Sequence, residues 1–262
     1  MGKGTTPSYR HLYIPQFYLN YYKTVEGYLH GYNKENAHFF KTQPKDVYFE
    51  ENRNTFLNDE NEESRWIEQV YSKLEAQFSA VLRKFNQIGN LTIEERRILL
   101  LFAYTTKWRS PAYDESFEYS QKILSFSDLR LHYVNKYFGI EYDLEKIWTS
   151  EEMQASKRIL LAIQPFIYKE DYKDICKNLI FIATPEPYNA IIGSCPFVEN
   201  PSNPDVVFES FIIPITPDYS LLYLHNGDIN KFSKFWNDNY ETVMPCIANL
   251  RDLSIYHISE KI

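Results

Sequence analysis

Glycine is scarce in this sequence, with 8 residues in 262. Few backbone sites can therefore adopt positive φ or let a phosphate approach closely, which argues against a glycine-rich nucleotide loop. Cysteine is rarer still. Cys176, Cys195 and Cys246 are odd in number and far apart, so neither a disulfide framework nor a paired-cysteine zinc site is expected, and reduced cytosolic thiols are. Neither metal nor cofactor is expected.

Positive charge is in deficit: 28 Lys and Arg stand against 35 Asp and Glu, a net charge of −7. Nucleic acid is not favoured as a partner, because phosphate neutralisation needs clustered cations, although a local basic groove stays open. Long apolar runs are absent as well. The longest, Ile98 to Tyr104, is too short to span a bilayer, so no membrane association is expected. MGKGTTPSYR has no apolar stretch of the kind a signal peptide carries, and a cytoplasmic location is expected.

What is present is aromatic. The 22 Tyr and 18 Phe lift the hydrophobic share to 44%, ample apolar surface to offset the entropy of ordering a chain of this length. Residues 1–10 are expected to form a flexible tail and 11–262 one domain, with a helical middle at 64–165 and a β-rich part at 178–262. Two short runs, Tyr28–Tyr32 and Ala37–Phe40, flank a turn at 33–36 and predict a hairpin. The polar stretch 43–59 reads as an irregular connection.

The period then changes. Trp66, Ile67, Val70, Leu74, Phe78, Val81, Leu82 and Phe85 predict an amphipathic helix over 64–87, stopped by Gly89. Thr92 and Glu95 form a capping-box pattern for a second helix, ending near Arg109 because Pro111 follows. A third helical region spans 112–137 with a break near 125–128, and a fourth runs from Ser150 to Ile163, ending at Pro165. Strands are predicted at 178–183 and 188–193 as a hairpin, at 206–213 and 220–224 joined by Pro214 to Asp218, and at 253–258. A helix capped by Asp228 precedes the last strand. The class is α+β: an N-terminal β-hairpin, a central bundle of about four helices, and a C-terminal antiparallel sheet with one further helix.

Four places can carry chemistry. His11, in RHLYIPQFYL, is a general base or proton donor, or a histidine bonded to backbone that fixes the chain's entry into the core. Arg109, at a helix end, grips a carboxylate or phosphate, or caps the helix and pairs internally. Glu68 and Glu75 lie seven apart on one helix face; Glu75, at the apolar edge, can meet Arg109, His11 or a metal, or be solvated. Ser194 and Cys195 follow a predicted strand, but Ile192 and Pro196 stand where a GxSxG elbow needs glycine. Cys195 with His11 as its base is the other nucleophile option.

These residues carry a family likeness. RHLYIPQFYL resembles the His-Tyr-Val-Pro start of domain-of-unknown-function family 4238, an uncharacterised and mostly bacterial family. QPKDVYFEENRNTF, KLEAQFSAVLRKF with Glu75, LLLFAYTTKWRSP with Arg109, and AIIGSCPFV followed by FIIPITPDYSLLYL resemble its later segments in order. Two positions depart from the pattern. Leu12 stands where the family has His, so His11 is one position early, and Ser194 stands where the family has Asp. If that Asp is catalytic or metal-binding in relatives, this chain is a divergent or inactive member; if it caps a turn, Ser194 can replace it. The resemblance implies one cluster of His11, Glu75, Arg109, Ser194 and Pro196, and supplies no activity.

The functional expectation is a polar pocket lined by His11, Glu75 and Arg109, with Arg109, Ser194 and Cys195 as ligand contacts, binding or hydrolysing an anionic or phosphorylated ligand. One alternative is a non-enzymatic protein-interaction module, such as an immunity or phage-defence component, using its tyrosine-rich surface. A second is a nucleic-acid-processing enzyme with a local basic groove and stacking aromatics.

Overall fold

The computed structural model describes residues 10–34, 36–57, 63–64, 66–123, 148, 150–168, 172–199, 210–225, 229–249 and 255–258. The N-terminal tail and the segment 124–147 lie outside them, as does the expected cap Asp228.

RHLYIPQFYL folds as strand, corner and helical turn. Strand β1 (Arg10–Leu12) pairs antiparallel with β4 (Phe49–Glu51), placing His11 opposite Glu50. Pro15 cannot donate to a ladder. Its carbonyl instead accepts from the Tyr18 and Leu19 amides at 3.0 and 3.2 Å, opening the one-turn helix α1 (Gln16–Leu19). Ile14, Tyr18, Leu19 and Tyr22 are fully buried by this turn. The Tyr18 ring meets Phe102 edge-on at 5.1 Å, and its hydroxyl donates to the Pro214 carbonyl. The segment is thus an anchor joining distant parts of the chain.

The predicted hairpin is present as β2 (Leu29–Asn33) and β3 (His38–Thr42). Gly31 is required there, because a Cβ would run into the Phe40 ring across the pair. The polar stretch after it is more ordered than expected: it holds a 3-10 turn at Pro44–Asp46, β4, and β5 (Phe56–Leu57), which pairs with β6 (Glu63–Ser64).

Helix α2 (Trp66–Ile88) buries Ile67, Tyr71, Phe78, Val81, Leu82 and Phe85 on one face, as its period predicts. Gly89 ends it at φ +65°. The capping box opens α3 (Ile93–Arg109): the Thr92 side chain accepts from the Glu95 amide, and Glu95 accepts from the Thr92 amide at 2.8 Å. The second half of α3 is buried on all sides, so it is the central helix around which the others pack. Ser110 is extended ahead of Pro111, a 3-10 turn covers Pro111–Tyr113, and α4 (Asp114–Ile123) follows. Helix α5 (Glu151–Tyr168) runs past Pro165 rather than ending there. A proline so near the end costs one hydrogen bond, and the residues beyond it can still complete the turn. The short α6 (Tyr172–Lys177) was not predicted, because DYKDICKN shows no apolar period.

The β-rich part departs most from expectation. Its sheet is antiparallel in the order β7 (Ile180–Ala183), β11 (Tyr219–Tyr223), β10 (Phe211–Thr216), β9 (Val198–Glu199). Residues 188–193 do not form a hairpin with β7. The Tyr188 amide bonds to the Pro185 carbonyl and the Ala190 amide to that of Pro217, so only β8 (Ile192–Gly193) remains extended. The β10–β11 turn is shorter than expected, since Pro214 lies inside β10. It sits where the register shifts between Pro214 and Thr216, an irregularity that tolerates a missing donor. The last strand, β12 (Ile255–Ile258), leaves this sheet altogether and lies between β2 and β8, giving the order β3-β2-β12-β8.

One hydrophobic cluster joins α1, α2, α3, β10 and β11, and a second lies between the other face of the sheet and α7 (Ile229–Asn249) around Trp236 and Tyr240. Helix α7 departs from helical geometry at Asn239. The fold is α+β. Among the described residues no helix is long and apolar enough to cross a membrane.

Candidate functional site

Helix periodicity places Glu68, Tyr71 and Glu75 on one side of α2, three and then four residues apart. The end of α3 meets that side. Arg109, 4% exposed, donates through Nη1 to Glu75 Oε1 at 2.6 Å and through Nη2 to the Leu12 carbonyl, and its guanidinium lies 4.2 Å from the Tyr71 ring centre. Arg109 thus ties the N-terminal strand to both long helices in one plane, which a lysine could not do.

His11 enters the same cluster from β1. Its Nδ1 accepts the Asn54 amide at 2.8 Å, and the Asn54 side chain donates to Glu68 Oε1 at 2.5 Å. With Nδ1 accepting, the neutral ring carries its proton on Nε2 and offers a donor there. The general-base role needs a free ring lone pair, which this arrangement does not present. Burial lowers the imidazole below its usual 6.5; Glu68 opposes the shift and Arg109 adds to it. The unfolded chain binds the proton more readily, so the contribution of neutral His11 is fully present above about pH 6.5 and is lost as pH falls below it. Urea unfolding between pH 7.5 and 5 should therefore show wild type losing stability faster than His11→Gln. Parallel curves would contradict this assignment.

A second group of charges adjoins the first through the 52–55 turn. Arg53 forks onto Asp114 at 2.6 and 3.1 Å and also bonds Glu50. Arg158, on α5, reaches Asp114 Oδ1 at 3.0 Å and the Trp108 carbonyl at 2.8 Å, with its guanidinium 4.0 Å from the Phe117 ring centre. Three guanidiniums face four carboxylates in this network, and the carboxylates of Glu50, Glu75 and Asp114 are its more exposed members. An incoming anion therefore meets like charge first. The Nε groups of Arg53 and Arg109 are buried without acceptors.

Ser194 and Cys195 sit beyond the other side of the α3 terminus. The Ser110 hydroxyl donates to the Ser194 carbonyl at 3.3 Å, and the Cys195 thiol, 1% exposed, donates to the Phe197 carbonyl at 3.4 Å. The structure thus brings His11, Glu75 and Arg109 into one network and places Ser194 against the residue after Arg109. Nearby, Lys107 pairs with Glu199 at 2.7 Å amid the rings of Tyr104, Trp108, Tyr113 and Phe197.

One turn along α4 and α5 from the Asp114–Arg158 pair lies a feature that the sequence reading missed. Glu118, Gln121, Lys122, Trp148, Gln154 and Lys157 line a cavity of about 420 Å³. Lys157 is 3% exposed, and its ammonium lies 4.2 Å from the Trp148 ring centre. Among the described residues it makes no ion pair with a carboxylate, and burial lowers its pKa. The available signal was its phase: Lys157 lies four residues before the buried Leu161, on the apolar side of α5. Among the described residues, no three of His, Cys, Asp and Glu come together as metal ligands would.

The model of one protein family matches residues 10–235, from β1 to the middle of α7. The match therefore includes His11, Glu75, Arg109 and Lys157. No curated protein and no solved structure matches the chain. Over most of its length, and in agreement with the resemblance carried by RHLYIPQFYL and the segments after it, this chain belongs to the family described as protein of unknown function (DUF4238).

Proposed function

We propose that this protein binds a small anionic ligand, a carboxylate or phosphate ester, in the cavity between α4 and α5. One observation carries the reading: Lys157 is buried, lines the cavity, and has no carboxylate partner among the described residues. Burying an unpaired ammonium is costly, and a ligand anion would offset that cost. The volume of about 420 Å³ lies within the range of small-molecule sites. Trp148 offers a flat apolar face, and Gln121, Gln154 and Lys122 supply polar groups to orient the ligand.

In this reading the arginine–carboxylate network is the floor of the site. Asp114 and Arg158 fix α4 against α5, and His11, Glu75 and Arg109 fix the elements behind them. Their role is positioning. Binding is favoured over hydrolysis because His11, the expected base, has its Nδ1 committed to Asn54.

Thermal shift and calorimetry with inorganic phosphate and with benzoate test the proposal, since a ligand selective for the native state must raise its stability. Wild type should gain stability with at least one of them. Lys157→Met should bind at least about tenfold more weakly, the loss expected for a charge-assisted hydrogen bond. Without ligand it should melt at or above wild type, because it removes an unpaired buried charge. Equal affinity in Lys157→Met, or no shift with either anion, would sink the reading.

A further inference from the structure

We propose that Lys157 is the amine of a carbonyl-binding site, condensing with a small aldehyde or ketone that carries a carboxylate or phosphate. The inference rests on the ligand reading above and names the class of molecule that the same cavity takes.

Lys157 differs from the paired lysines of the described residues. Lys41, Lys84, Lys107 and Lys177 each pair with a carboxylate, on Glu26, Glu95, Glu199 and Asp174. Such pairing holds an amine in its charged, unreactive form. Lys157 is the more deeply buried, has no such carboxylate among the described residues, and rests against an indole face. Desolvation beside an apolar wall is how a lysine becomes a nucleophile. The lowered pKa of Lys157 agrees, since it increases the fraction of free amine.

The remaining lining residues complete the chemistry. A carbonyl ligand has its anionic end on Lys122, which lines the same cavity, rather than on Lys157, whose amine must be uncharged to attack; Glu118, on the same wall, carries protons. The Lys157 Nζ lone pair attacks the carbonyl carbon, forming a C–N bond while the C=O π pair moves to oxygen. A proton passes from nitrogen to that oxygen, giving a carbinolamine. A solvent proton, relayed along the cavity wall by Glu118, reaches the hydroxyl, which leaves as water as the nitrogen lone pair forms C=N. Amine and carbonyl become imine and water, and no electrons are exchanged with any other reagent. Trp148 beside the ammonium favours the flat, cationic iminium.

The test uses the full chain, glyoxylate as the carbonyl probe, and cyanoborohydride to reduce any imine to a carboxymethyl-lysine located by peptide mass spectrometry. Lys157 should be labelled on the order of tenfold faster than the exposed Lys173 and Lys231. Glu118→Gln should slow that labelling by about tenfold or more, as loss of an acid catalyst does. Lys157→Arg should give no adduct in the α5 peptide. If wild type is stabilised by glycolate but Lys157 labels no faster than surface lysines, the imine proposal is wrong and the ligand reading stands. If phosphate, benzoate and glycolate all fail to stabilise wild type and Lys157 shows no selective labelling, both fail.

Discussion

Replacing Arg109 by methionine is expected to lower stability by about 3 kcal/mol, the lower end of the range for removing one partner of a buried ion pair. Three losses combine. Glu75 is left without its cation, the Leu12 carbonyl loses its donor, and the Tyr71 face loses a guanidinium. The lower end applies because the Glu75 side chain keeps 27% exposure, so water can partly resolvate it. For a chain of this size the melting temperature should fall by about 6–12 °C. Glu75→Gln should cost about 1 kcal/mol, because the amide oxygen still accepts from Arg109. Hydrogen exchange should show β1 opening first in Arg109→Met, since its tie to α3 is gone. Urea unfolding decides the matter: a loss below about 1 kcal/mol would mean that Arg109 is not the clamp between the N-terminal strand and the helices.

Trp236→Ala is expected to be at least as damaging, at about 4 kcal/mol, the middle of the range for deleting a buried large aromatic. Trp236 is fully buried at the centre of the second hydrophobic cluster. Its indole N–H donates to the Ala183 carbonyl at 3.2 Å, and its ring meets Tyr240 edge-on at 5.1 Å. Removing it opens a cavity between α7 and the β7-β11-β10-β9 sheet and leaves a carbonyl without its donor. Trp236→Phe keeps most of the packing and should recover more than half the loss. Denaturant titration of the three proteins tests this. A Trp236→Ala loss within about 1 kcal/mol of wild type would show that α7 contributes little to the sheet's stability.

Both predictions depend on contacts of different legibility. Glu68 and Glu75 were readable as one helix face because the 3.6-residue period is local, and Arg109 was readable at a helix end because Pro111 limits the helix. Their meeting with His11 follows from burying the apolar residues of RHLYIPQFYL on α2 and α3. Asn54, which joins His11 to Glu68, was not readable. It lies in a tight turn whose path includes Asn52 at φ +57°, and nothing in NRNT marks which side chain will face inward. Asp114 was equally opaque as the acceptor of two arginines from segments 61 and 44 residues away.

Lys157 marks the limit most clearly. In the sequence it is an ordinary helical lysine. Its chemistry comes from what the fold puts around it: a tryptophan face, a cavity, and no carboxylate near enough to pair among the described residues. That is a property of three-dimensional surroundings, which no local pattern encodes.

By itself the sequence determined the helix phases, the capping box of α3, the N-terminal hairpin and the α+β class, because each depends on neighbours within a few residues. The tertiary structure alone decided which strands pair beyond those joined by a short turn. Alternation along a strand specifies its two faces but not its partner. So 188–193 looked like the mate of β7, whereas β8 pairs with β12, and β12 is drawn across the molecule to β2. The same long-range closure brought α4 beside α5 and set Lys157 in its cavity, since the free energy of burying apolar surface depends on which faces meet rather than on their order in the chain.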